Sequence, residues 1–136
     1  MAWHSLGWRP AFFSEIEAFP RAVLKHHYPE VPLHGDFTTI QSGTYEPIRL
    51  LVGGTPCQDF SVAGLRKGLA GERGNLTLEY LKLAARLRPK WLVWENVPGV
   101  LSQDKGRAFG AFLGGLGELG YSFAYRVFDA QYVRVD

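Results

Sequence analysis

The chain has 136 residues, 46% of them apolar and 14% aromatic, with a formal charge of +2. This is enough for one globular domain with a core, not a disordered segment, and so small a charge neither announces nor excludes a nucleic-acid partner. A single cysteine excludes an internal disulfide framework and a cysteine-rich zinc site, so no metal is expected, and it fits a reducing, cytoplasmic compartment.

No apolar run approaches the roughly 20 residues of a membrane span, so no membrane partner is expected. The N-terminus also lacks the basic-then-apolar order of a secretory signal. Residues 1–9 read as the last turns of a helix stopped by Gly7. Since a domain rarely begins on the end of a helix, sequence before Met1 is expected. Residues 11–14 (Ala-Phe-Phe-Ser) predict a short strand with Glu15 at its carboxyl end. Phe19 to Tyr28 predicts a helix carrying Pro20 in its first turn, where a missing N–H is harmless, and Pro29 and Pro32 break it. His34 to Phe37 predicts a turn or short strand with Asp36 exposed beside Gly35.

The apolar run Ile48 to Val52 predicts a strand leading into Gly53-Gly54-Thr55-Pro56-Cys57-Gln58. Residues 59–75 hold four glycines with Arg66, Lys67 and Arg73, the composition of a long functional loop. Asn75 is a candidate cap for a helix over Leu76 to Leu87, whose Leu76, Tyr80, Leu83 and Leu87 share a stripe. Trp91 to Trp94 predicts a strand ending in Glu95-Asn96-Val97-Pro98. A helix over about Gly106 to Leu119 places Phe109, Phe112, Leu113 and Leu116 on one face, though its glycines leave it dependent on packing. Tyr121 to Phe128 predicts a further strand. Alternating strands and helices predict an α/β fold with a mostly parallel sheet and helices on both faces, the near-continuous apolar strands being covered on each side. In such folds the ligand crevice lies beyond the carboxyl ends of the strands, where Glu15, Cys57 and Glu95 all fall.

Cys57, in a tight turn after a strand, reads either as an inert buried thiol or as an exposed nucleophile activated by a basic surrounding. Glu95 reads either as a solvated strand-end carboxylate or as one desolvated enough to hold a proton near neutrality. His4, His26, His27 and His34 all read as helix-surface or turn residues, which leaves a Cys–His hydrolase weakly supported. A thiolate paired with a carboxylic acid suits attack on an electron-poor ring that is protonated as it is attacked. Arg66, Lys67 and Arg73 read as phosphate grips or as a solvated loop. Glu15 and Asp36 could hydrogen-bond a ribose and an adenine, or be ordinary surface carboxylates.

Taken together these stretches resemble the DNA (cytosine-5)-methyltransferase family, most closely its phage and bacterial forms. Residues 55–64 (Thr-Pro-Cys-Gln-Asp-Phe-Ser-Val-Ala-Gly) are similar to the family's catalytic loop, and Glu95-Asn96-Val97 to its second catalytic motif, with Arg73-Gly74 between them. Ser14-Glu15-Ile16-Glu17 and Gly35-Asp36-Phe37 are similar to its two cofactor-binding segments. The resemblance implies an incomplete Rossmann-like fold, S-adenosylmethionine as cofactor and double-stranded DNA as partner, in a bacterial or phage-infected cell. It implies that Cys57 attacks C6 of a flipped cytosine, that Glu95 engages ring N3 and the exocyclic amine, and that Pro56, Gln58 and Asn96 complete the catalytic set. Glu15 and Ile16 would hold the ribose and adenine, Asp36 and Phe37 the other edges of the adenine, and Ser61 and Arg73 would touch DNA or pin the closed loop. It further implies that residues 1–136 form a partial catalytic domain. The family's first strand and glycine loop, arginine-rich segment, target-recognition domain and late helix have no counterpart here. Such a piece is expected to be weak or inactive alone. It is either completed by a complementary chain as half of a split enzyme, or it is a non-catalytic remnant that binds a nucleotide or a partner.

Overall fold

The computed structural model describes residues 4–45, 47–55 and 76–132. Within them lie four short strands and three α-helices: β1 (Phe13–Ser14), α1 (Ala18–His27), β2 (Leu33–His34), β3 (Leu50–Gly54), α2 (Leu76–Leu87), β4 (Trp91–Glu95) and α3 (Arg107–Glu118). The strands pair two by two, β1 with β2 and β3 with β4, giving a small α/β fold of short parallel pairs rather than one wide sheet among the described residues. The chain divides into two compact units, Met1–Gly53 with Lys82–Val93, and Gly54–Leu81 with Trp94–Asp136.

In the first unit, the residues before β1 form a single 3-10 turn, His4–Leu6, ended by Gly7 at φ +77°. A left-handed φ there costs glycine nothing. β1 and β2 are parallel, with Phe13 opposite Leu33 and Ser14 opposite His34. Their connection is α1, which starts one residue before the expected Phe19 and keeps Pro20 in its first turn. Lys25, His26 and His27 occupy its last turn, where positive charge complements the exposed carbonyls. His34 lies in the short strand β2, one of the two readings the sequence offers for His34 to Phe37. Asp36 then caps the 3-10 turn Phe37–Thr39, its carboxylate accepting from the Thr38 N–H at 2.9 Å.

β3 runs two residues further than the apolar run suggests, so Gly53 and Gly54 belong to the strand and not to the turn after it. The expectation that these strands are covered on both faces is corrected: Val52, Trp91 and Val93 are 50%, 61% and 38% exposed. In β4 only the alternate positions, Leu92 and Trp94, are partly covered, as in a sheet with one open face.

In the second unit the expected stripe of α2 proves too narrow. Thr77, Leu78, Glu79, Tyr80 and Leu81 are consecutive buried residues, so the first half of the helix is enclosed almost all round. α3 begins after Gly106 at φ +78° and buries Ala108, Phe112 and Leu116, a spacing of four that agrees with the expected face. Trp94 lies against Phe112 with ring centroids 4.3 Å apart, and Phe109 meets Tyr125 edge to face at 5.1 Å. The strand expected over Tyr121 to Phe128 does not form among the described residues, and the segment stays largely exposed. β-propensity counts only where a neighbouring strand and a buried face receive it. Asp129 to Tyr132 is a turn, Ala130–Tyr132, held by the Asp129 carboxylate accepting from the Gln131 N–H. The Asn75 cap and the loop residues Arg66 and Lys67 lie outside the described residues.

Candidate active site

In the first unit, parallel pairing brings the carboxyl ends of β1 and β2 side by side, and with them Glu15 and Asp36. Arg21, one turn into α1, donates through Nη1 to the carbonyls of Glu15 (2.6 Å) and His34 (2.8 Å). Ser14 Oγ donates to the Gly35 carbonyl at 2.7 Å. Three strand-end carbonyls thus have side-chain donors. Glu15 Oε1 accepts from the N–H groups of Ile16 and Glu17 at 2.8 and 2.9 Å, which turns the chain into α1 and fixes the carboxylate. Ile16 is 69% exposed, Asp36 is exposed and Phe37 half-buried. Two fixed carboxylates with an accessible aliphatic and an aromatic side chain match the needs of a nucleoside: acceptors for ribose hydroxyls and an exocyclic amine, and apolar surface for a base.

In the second unit, the ends of β3 and β4 carry the other expected motif. Thr55, buried directly after β3, is held from three sides. Trp94 Nε1–H donates to its hydroxyl at 3.0 Å, the Thr77 hydroxyl lies 2.8 Å from it, and Asn96 Nδ2 donates to its carbonyl at 2.7 Å. Asn96 Oδ1 in turn accepts from the Val97 N–H at 2.9 Å. Glu95 ends β4 and is exposed. Its side chain crosses Gly54: a Cβ there would lie 2.9 Å from Glu95 Oε2. Gly54 is a glycine inside a strand because a carboxylate occupies the space of its missing side chain. On α2, burial pushes the Tyr80 hydroxyl well above its ordinary range, with Tyr121 adding to the effect. Pro56, Cys57, Gln58, Ser61 and Arg73 lie outside the described residues.

The profile of the family described as C-5 cytosine-specific DNA methylase matches residues 1–135. The chain belongs to that family. A DNA N-6-adenine-methyltransferase of Escherichia phage P1 is 52% identical over 129 residues, covering 85% of this chain and 17% of the relative. The type II methyltransferase M.BsuFI of Bacillus subtilis is 39% identical over 120 residues, 88% of this chain and 29% of the relative. The orphan methyltransferase M.SPRI of Bacillus phage SPR is 34% identical over 132 residues, 96% of this chain and 30% of the relative. The chain therefore spans less than a third of the length of each of these three.

Within this chain, Glu15, Ile16, Asp36 and Phe37 lie together in the first unit, and Glu95 and Asn96 lie in the second. Sequence reasoning missed the residues that hold them: Arg21, Trp94, Thr77 and the Thr55 hydroxyl. Trp94 and Thr77 read as core and as helix start, and nothing in their spacing says that both reach Thr55. No described helix is long and apolar enough to cross a membrane.

Proposed function

We propose that the chain carries catalytic and cofactor-binding segments of an enzyme that methylates C5 of cytosine in double-stranded DNA. The observation that carries this reading is the family match together with Glu95 lying across Gly54, at the strand end that leads to Cys57. The two strand pairs are read as parts of a Rossmann-like sheet.

The chemistry follows from the residue types. C5 of cytosine is a poor nucleophile, and a thiolate adding to C6 changes that. The Cys57 sulfur forms a bond to C6, and the C5–C6 π pair shifts toward C5. Glu95 supplies a proton to N3 and accepts from the exocyclic amine, so the ring gains no net charge as sulfur adds. Glu15, Ile16, Asp36 and Phe37 would hold S-adenosylmethionine, which would supply the electrophilic methyl group for C5 and leave as S-adenosylhomocysteine. Loss of the C5 proton to a base restores the double bond and expels the thiolate, and N3 returns its proton to Glu95. Because Glu95 is exposed, its desolvation must come from a base extruded from the duplex onto it. Asn96 acts through the backbone, holding the Thr55 carbonyl and so the start of the segment bearing Pro56, Cys57 and Gln58. Ser61 and Arg73 contact DNA or the closed loop.

The covered share of the relatives is small, and residues 1–136 alone are proposed to be weak or inactive, with target recognition supplied by further sequence or by a complementary chain. The name of the phage P1 relative raises adenine N6 as the methyl acceptor. An amine needs no covalent activation by a thiol, so the motif around Cys57 favours the carbon acceptor. Product analysis decides: DNA incubated with methyl-labelled S-adenosylmethionine and digested to nucleosides is expected to carry the label in 5-methylcytosine. Label in N6-methyladenine would overturn the reading.

A further inference from the structure

We propose that His34 is a positioning residue for cofactor recognition, acting through a directed hydrogen-bond relay that sets Asp36. This inference rests on the reading of Asp36 as an adenine-binding residue and assigns its support. The three bonds of the relay all lie in the first unit. The Thr39 hydroxyl donates to the Asp36 carbonyl at 2.7 Å, so its single proton is used there. His34 Nε2, 2.8 Å from the same hydroxyl oxygen, must then be the donor to it. In neutral imidazole the other nitrogen is an acceptor, and Nδ1 takes the proton of the Tyr45 hydroxyl at 2.8 Å. The order is therefore Tyr45 to His34 to Thr39 to Asp36, with one tautomer, Nε2–H, compatible with every bond.

Both ends of this relay are anchored. The Tyr45 ring stacks on Phe12 at 4.2 Å and 11°, and Phe12 precedes β1, which leads to Glu15. Asp36 is bonded through its carbonyl to Thr39 and through Oδ1 to the Thr38 N–H, so its carboxylate orientation follows the position of that turn. The His34 carbonyl shares the Arg21 Nη1 with the Glu15 carbonyl. One histidine thus links the ribose-side and adenine-side segments through its backbone and orders the adenine side through its ring. A histidine used only as a spacer would need one ring contact; here both nitrogens are committed in defined directions.

The test uses ligand discrimination, which a general loss of stability does not change. Binding of S-adenosylhomocysteine is compared with that of its analogue bearing hydrogen in place of the 6-amino group, in a chain extended by its flanking coding sequence, as wild type, Tyr45→Phe, His34→Ala and Thr39→Ser. Tyr45→Phe keeps the ring stacked on Phe12 and removes only the first donor. The wild type is expected to prefer the amino-bearing ligand. Tyr45→Phe and His34→Ala are expected to lose about fivefold of that preference, the worth of one misplaced hydrogen bond. Thr39→Ser, which keeps the hydroxyl, is expected to retain it. Unchanged preference in both Tyr45→Phe and His34→Ala would overturn the inference while leaving the cofactor reading intact. A wild-type chain that binds neither ligand would overturn both. Nitrogen-15 chemical shifts of the His34 ring provide a readout that needs no ligand: the Nε2–H tautomer is expected, and Nδ1–H would contradict the relay.

Discussion

Thr55 shows how much one hydroxyl can organise. Its oxygen accepts the Trp94 N–H and meets the fully buried Thr77 hydroxyl, while its carbonyl takes the Asn96 amide. Thr55→Val keeps the shape and removes the hydroxyl, and with it the bond from the half-buried Trp94 N–H and the contact with the buried Thr77 hydroxyl. The expected cost is about 1–3 kcal/mol, read from denaturant unfolding, and Thr55→Ser is expected to recover most of it. A valine variant as stable as wild type would show that the network does not hold the strand end. Only part of this was legible beforehand. The motif from Thr55 to Gln58 singled out the place, and Glu95-Asn96 singled out its partner strand. Neither could show that Asn96 works on the backbone of Thr55, because a side chain's reach across two strands depends on register, which a single sequence leaves open.

At the scale of elements, the glycine-rich helix α3 separates what sequence can and cannot decide. Its periodicity placed the helix and its buried face within a residue or two. The four glycines looked equivalent. In the structure a Cβ on Gly115 would lie 2.7 Å from Leu81 Cδ1, and Leu81 is 1% exposed, whereas a Cβ on Gly114 meets nothing within 4 Å. The same substitution should therefore change sign between neighbours. Gly114→Ala is expected to stabilise by up to about 1 kcal/mol through helix propensity. Gly115→Ala is expected to destabilise by about 1–2 kcal/mol, overpacking outweighing the same propensity gain. Paired thermal melts check both, and stabilisation by both alanines would contradict the close approach. The strand expected over Tyr121 to Phe128 failed for the complementary reason: its alternating residues satisfy a local pattern, but a strand exists only with an edge to join.

At the scale of the whole molecule, each of the two units carries part of the proposed chemistry: cofactor residues in the first, Glu95 and Asn96 in the second. The order of motifs along the chain made the family legible; the division into units, and sheets of two strands each, were not. Short sheets leave strand edges unpaired, and Val52, Trp91, Phe123, Tyr125, Val127 and Phe128 are all at least half exposed. Residues 1–136 in isolation are therefore expected to self-associate at micromolar concentration, measured by sedimentation velocity. A monodisperse monomer that melts cooperatively would contradict this.

The central claim is that Cys57 attacks cytosine C6. It is tested most directly by covalent trapping on duplex DNA carrying 5-fluorocytosine, with S-adenosylmethionine present, because fluorine at C5 cannot leave as a proton does and the sulfur–C6 bond persists. The measurement compares residues 1–136 with a longer chain that includes flanking coding sequence, each with and without Cys57→Ala. The predicted result is a denaturation-resistant protein–DNA adduct from the longer chain, little or none from residues 1–136, and none from either Cys57→Ala variant. No adduct at any length, or one that survives Cys57→Ala, would contradict the claim.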